Sequence, residues 1–186
     1  CGAVSDPPGG RLGLVVHRTR VVDPATARTV ARTKLGILAV AGTKLVLAGP
    51  GKNTTVRDSA TGQERSVRWP SILAHRDAPA VDPTGRHVVL AFADPAWQSG
   101  GRQALDLWLL DTTTAKLTQV PSMPAFVLLK ETSMAWTRDG RLVLFAGTDA
   151  GHLVAVWRPG EAELAIKKVA SPDRDGSSTD EFAVVG

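Results

Sequence analysis

Tyrosine is absent from this sequence, and cysteine occurs once, at Cys1. A single cysteine excludes an intramolecular disulfide, so packing and hydrogen bonding alone hold the fold. Long apolar runs are missing too. Stretches such as Leu35 to Gly42 and Leu142 to Gly147 are far shorter than the roughly 20 residues of a membrane-spanning helix. No Gly-x-Ser-x-Gly, glycine-rich phosphate loop or His-Glu-x-x-His pattern occurs, which excludes the catalytic sites that such local motifs encode. Charge is not in excess: charged residues make up 22% of the chain and hydrophobic ones 43%. These values match globular domains and exclude disorder for the bulk of the 186 residues.

What is present is a repeat. The segment Ala80 to Leu90 aligns without gaps on Ala135 to Phe145, pairing Asp-Pro-Thr-Gly-Arg with Thr-Arg-Asp-Gly-Arg and following each with an apolar run. Looser copies start at Ala41 and Gly9. A second element reads Asp-x-x-Thr-(Ala/Gly) and begins at Asp23, Asp58 and Asp111. Asp and Thr in such positions bond to nearby backbone groups, and a small residue at the end tolerates a tight bend, so each copy predicts a turn. Val156 to Gly160 keeps the turn and loses the Asp.

The two elements alternate with short strands at Arg28 to Arg32, Gln63 to Trp69, Lys116 to Val120 and Glu163 to Val169. A further short strand precedes each glycine turn, at Ile37 to Val40, Ala78 to Val81 and Ser133 to Trp136. Asp23, Asp58 and Asp111 are spaced 35 and then 53 residues apart, bracketing the roughly 40 to 45 residues of a four-stranded propeller blade. The segment Asp94 to Gln103 reads as a polar loop inserted in one repeat, and Val127 to Glu131 as an extra strand or a turn of helix.

These motifs resemble those of TolB-type and WD-repeat β-propellers over residues 10 to 169, although the Trp-Asp pair of true WD repeats is absent. The resemblance implies an all-β fold, a β-propeller of about four four-stranded blades over residues 11 to 186, after a flexible tether at 1 to 10. Two endings stay open. Phe182 to Val185 completes the first blade and closes the ring, or the blades belong to a larger ring.

Cys1-Gly2 followed by a small, Pro/Gly-rich stretch resembles the mature start of a bacterial lipoprotein, which implies lipid attachment at Cys1 and a place on the outer face of the cell membrane. A cut in the polypeptide at that cysteine, leaving a cytoplasmic scaffold, is the other reading. Residues 1 to 70 hold 11 Lys/Arg against 4 Asp/Glu, and residues 71 to 186 hold 11 against 14. A basic first part suits an anionic membrane or wall polymer; equally, Arg18, Arg20, Arg28, Arg32 and Arg57 suit the solvent side of strands.

Candidate sites are few. His17, His75, His87 and His152 lie too far apart for a local metal site, so no metal or other cofactor is expected. The acidic loop Ser171 to Glu181 has oxygen side chains at calcium-loop spacing, but Phe182 stands where the bidentate Glu belongs. Trp108, Trp136 and Trp157 fall inside strand patterns and are expected to pack between blades. Trp97 with Arg102 forms the candidate recognition patch, because Trp and Arg are favoured interface anchors; Trp97 folded back over the blade face is the other reading. Basic residues are scattered and lack stacked aromatics, so nucleic acid is not an expected partner. The resulting expectation is a non-enzymatic extracytoplasmic binding propeller for a protein or a cell-wall component. A propeller enzyme with a central-channel site is the alternative.

Overall fold

The structure, a computed structural model, describes residues 14–69, 74–99, 102–122, 125–148 and 151–169. Among them every regular element is a strand. The first antiparallel sheet contains β1 (Val15–His17), β2 (Arg20–Asp23) and β3 (Arg28–Arg32). The second contains β4 (Ile37–Ala41), β5 (Lys44–Ala48), β6 (Asn53–Asp58) and β7 (Glu64–Arg68). A third holds β8 (Ala74–Val81), β9 (His87–Ser99), β10 (Arg102–Asp111) and β11 (Lys116–Gln119). The fourth holds β12 (Ala125–Trp136), β13 (Leu142–Thr148), β14 (Gly151–Trp157) and β15 (Ala165–Val169).

Each sheet is a meander, and consecutive sheets stack face to face. That is the arrangement of propeller blades, four in number, the first showing three strands among the described residues. A blade between two others has both faces covered, so its inner strands must be apolar on both sides. Strand β9 meets this demand: Val88, Leu90 and Phe92 pack toward the second blade, while Val89 and Ala91 pack toward the fourth. All five are at most 1% exposed. On β10 the same alternation sends Leu110 to the second blade and Leu105 and Leu107 to the fourth. Val21 of the first blade meets Ile37, Leu45 and Leu47 of the second. Three cores therefore join the four blades in a row; among the described residues no fourth core joins the last blade to the first. The expected closing strand, Phe182 to Val185, and the tether at 1 to 10 lie outside the described residues.

Two expectations need correction. Asp94 to Gln103 is not a loop: β9 runs on to Ser99 and β10 starts at Arg102, with Ser99 paired to Arg102 and Gln98 to Gln103. The strands preceding the glycine turns are also longer than expected, for β12 absorbs Val127 to Glu131 entirely. The physical cause is shared. Arg102–Leu105 of β10 pairs with Ala125–Leu128 of β12, so the third and fourth blades become one continuous hydrogen-bonded sheet. Backbone groups that a polar loop would leave to water find partners some 25 residues away in sequence. Register shifts between Arg76 and Ala80, Gln103 and Leu105, and Leu128 and Thr132 mark where these strands bend out of their blades. Pro79, which cannot donate a ladder hydrogen bond, sits inside the first of them.

Candidate functional site

One end of the blades is built from the repeated turns, and its polar groups are consumed internally. Asp23 accepts the Ala25 N–H at 2.9 Å. Asp58 accepts those of Ala60 and Thr61 at 2.8 and 3.2 Å, and Asp111 those of Thr113 and Thr114 at 2.8 and 3.0 Å. The last residue of each motif has positive φ: Ala27 at 54°, Gly62 at 74° and Ala115 at 57°. Where the fourth blade lacks the Asp, Glu161 caps the turn from its far side by accepting the Arg158 N–H at 3.0 Å.

A cation from the preceding glycine turn then ties the carboxylates of the second and third blades. Lys44 pairs with Asp58, and Arg86 with Asp111 at 2.9 Å. In the fourth blade the signs are exchanged, with Asp139 in the glycine turn and Arg158 in the later one, 3.2 Å apart. The Lys44 hydrogen bond, aided by the Ala60 and Thr61 amides, holds the Asp58 carboxyl below the usual carboxylate range. For Asp111 burial is the largest influence and pushes upward, but the Thr114 amide, Arg86 and the Thr113 amide together outweigh it, and the net shift is downward. The Thr137 hydroxyl, ahead of Arg141 and Arg158, lowers Asp139. These carboxylates serve turns and ties.

Two of the histidines, His87 and His152, are likewise engaged in the fold. His87 lies 3.2 Å from Asp82 through Nδ1 and donates its backbone N–H to the same carboxylate at 2.9 Å. His152 is buried and stacks on Phe145 at 5.4 Å between centroids. His17 is exposed on β1. Among the described residues no group of three or more His, Cys, Asp or Glu is placed to hold a metal ion. The acidic loop Ser171 to Glu181 and Cys1 fall outside the described residues.

Sequence reasoning missed Asp106. It is buried in β10 between Leu105 and Leu107 and accepts hydrogen bonds from Trp108 Nε1 at 2.8 Å and Gln119 Nε2 at 3.0 Å. A carboxylate interrupting an apolar strand was its only signal, and that signal does not say which partners meet it. The strand tryptophans sit between blades: Trp136 and Trp157 in the core of the third and fourth, Trp108 against that of the second and third. Trp136 Nε1 donates across the blades to the Ala80 carbonyl at 3.1 Å.

The opposite end of the third blade is different. There the β9–β10 hairpin projects past the last paired core residues and is joined by the first half of β12. Trp97 lies on β9 in the bulged stretch between Ala93 and Gln98, and Arg102 starts β10, opposite Ser99 on one side and Leu128 on the other. The backbone thus brings both anchor candidates to the tip of one three-stranded arm.

No family model matches this chain, and no curated protein does. Among solved structures, the chain is similar to an oligogalacturonate lyase from Vibrio parahaemolyticus at 9% identity and a TM-score of 0.48, over 79% of this chain and 54% of that one. An oligogalacturonate lyase in complex with manganese matches at 12% identity and a TM-score of 0.40, over 79% and 57%. Hydrazine synthase of Kuenenia stuttgartiensis matches at 19% identity and a TM-score of 0.48, over 80% and 50%. The chain spans about half the length of these structures. Among the described residues no helix is long and apolar enough to cross a membrane, which leaves strand-built membrane proteins unaddressed.

Proposed function

We propose that this chain is a non-enzymatic binding propeller of the TolB or WD-repeat type, acting outside the cytoplasm on a protein or cell-wall partner. The observation supporting this reading is the arm: β9 and β10 extend beyond their blade, and β12 pairs with β10 as a third strand. The Arg102 backbone, paired on both sides, has less ordering entropy to lose on binding than a free loop has, and Trp97 lies in the bulge beside it. Trp97 and Arg102 at the arm's tip are the residue types that dominate interface energies. Membrane attachment through Cys1 is part of the same proposal, supported by the lipoprotein-like start of the sequence.

Site-specific photo-crosslinking from position 97 in the native host tests the arm. The expected result is a discrete adduct that Arg102→Ala abolishes, with the melting temperature of both variants within about 2 °C of the parent. Absence of an adduct, together with a large loss of thermal stability in Trp97→Ala, would assign the tryptophan to packing instead. Intact mass of the native protein tests the anchor independently: an acylated Cys1 is expected, and an unmodified thiol refutes it.

A further inference from the structure

Ranking the strands by position within each blade separates the charge of the molecule. The innermost strands are balanced, with Arg76 and Lys130 against Asp77 and Glu131. Second strands carry Lys44 against Asp94, and third strands carry three arginines against four aspartates. The outermost strands are unlike the rest: Arg28 and Arg32 on β3, Arg65 and Arg68 on β7, Lys116 on β11, and Lys167 and Lys168 on β15 stand against Glu64 alone.

All seven cations are exposed. Among the described residues, Arg28, Arg32, Arg68, Lys116, Lys167 and Lys168 form no ion pair with a carboxylate. The outer ranks of adjacent blades also touch, for Arg65 Nη1 donates to the Thr113 carbonyl beside β11 at 2.8 Å. Outer strands are sheet edges, and charged side chains there discourage pairing with another chain. Edge protection favours lysine in particular, however, and four of the seven cations are arginines, which it does not account for.

We propose that this cationic rim is a track for a linear acidic polysaccharide. The proposal rests on the reading of the chain as a binding module and is independent of the arm. A flat anionic membrane meets only one flank of a rim spread over several blades, whereas a flexible polymer can follow it. Single-stranded nucleic acid is recognised largely by stacking on aromatic side chains, and the four outer strands contain none. The partner is thus defined by repeated negative charge without bases.

The test is binding of the full chain to alginate, a linear polyuronate, with dextran, phosphatidylglycerol vesicles and oligo-dT as comparison probes. Alginate binds and dextran does not; the affinity falls about 50-fold between 50 and 200 mM salt, as expected if about four charges are neutralised at a slope of roughly 0.7 each. The variant Arg28→Gln/Arg32→Gln/Lys167→Gln/Lys168→Gln loses at least about tenfold in affinity and most of the salt slope. Should that variant fail to fold, protection of Lys116, Lys167 and Lys168 in the parent against amine acylation by bound alginate carries the test. Unchanged affinity in a folded variant, absence of that protection, or binding to vesicles or oligo-dT but not to alginate overturns the proposal. So does a variant that self-associates when the parent ignores alginate, an outcome that assigns the cations to edge protection. Trp97→Ala/Arg102→Ala leaves alginate binding intact, so failure of the arm and failure of the rim are told apart.

Discussion

Gly85 sits so close to Gly42 that a Cβ placed on it would lie 2.7 Å from the Gly42 amide nitrogen and 3.1 Å from the Ala41 carbonyl carbon. The glycine turn of the third blade is thereby seated directly on that of the second, backbone against backbone. Gly85 also has φ of 70°, a left-handed conformation that costs other residues about 1 to 2 kcal/mol. Gly140, the equivalent residue of the fourth blade, shares the positive φ of 78° but meets nothing within 4 Å. Gly85→Ala is therefore expected to cost about 3 kcal/mol, backbone strain plus overpacking, and Gly140→Ala about 1 kcal/mol. Urea unfolding of the two variants measures the difference; equal losses would show that the blade contact adds nothing.

The Asp-x-x-Thr turns invite the reverse change. Ala27 and Ala115 occupy left-handed positions that Gly62 fills in the second blade. Ala27→Gly, at an exposed position, relieves about 1 to 2 kcal/mol of strain and loses about 0.4 to 1 kcal/mol through the freer unfolded chain. A net gain of about 0.5 kcal/mol follows, with Gly62→Ala moving in the opposite direction. Unfolding midpoints of both variants under one condition check the pair of signs.

What could be read from the sequence follows how local the chemistry is. The three Asp turns were legible because carboxylate, amides and the left-handed residue all fall within five positions. The outer strand β3 was legible to the residue from the turns flanking it, and β15 to within two residues at its start. The arm was not legible. Its extension depends on β12 meeting β10, and a polar Pro/Gly/Ser stretch from Asp94 reads as a loop until that third strand is known. The caps at Asp82 and Thr137 show a milder version of the difficulty. Thr84 donates to Asp82 at 2.7 Å, while in the fourth blade Thr137 donates to Asp139, so the same pair appears in exchanged order. Asp106 was half hidden for a related reason: Trp108 is two residues along its own strand, but Gln119 lies on β11, whose register against β10 the sequence does not state.

Acid should act through the turn carboxylates. Asp58, Asp111 and Asp139 all have pKa values lowered in the folded state. A lowered carboxylate stabilises the fold fully above its unfolded value near 4, and that contribution is lost as pH falls through the lower folded value. The urea midpoint is therefore expected to drop below pH 4. Asp111→Asn keeps an acceptor oxygen for the Thr113 and Thr114 amides but gives up the charge facing Arg86, so it should be less stable than the parent at pH 6 and approach it by pH 2.5. Parallel curves across that range would remove Asp111 from the account of acid sensitivity.

The bond from Trp136 to the Ala80 carbonyl links the inner strands of two blades at a buried site. Trp136→Phe preserves most of the apolar ring but removes one of two donors from that carbonyl, which Val89 still pairs across the ladder, at a cost of about 0.5 to 1.5 kcal/mol for a lost hydrogen bond. Trp157 offers a comparison, since its indole N–H reaches only the Glu161 carbonyl of the adjoining turn, at 3.0 Å, within its own blade. Trp157→Phe should cost a similar amount in overall stability without loosening one blade from the next. Hydrogen exchange separates the two: Trp136→Phe is expected to speed exchange in β8 and β12 together, Trp157→Phe in β14 and its turn. If both variants open the same amides, the fourth blade unfolds as a single unit with the third, as their shared hydrogen-bonded sheet would then require.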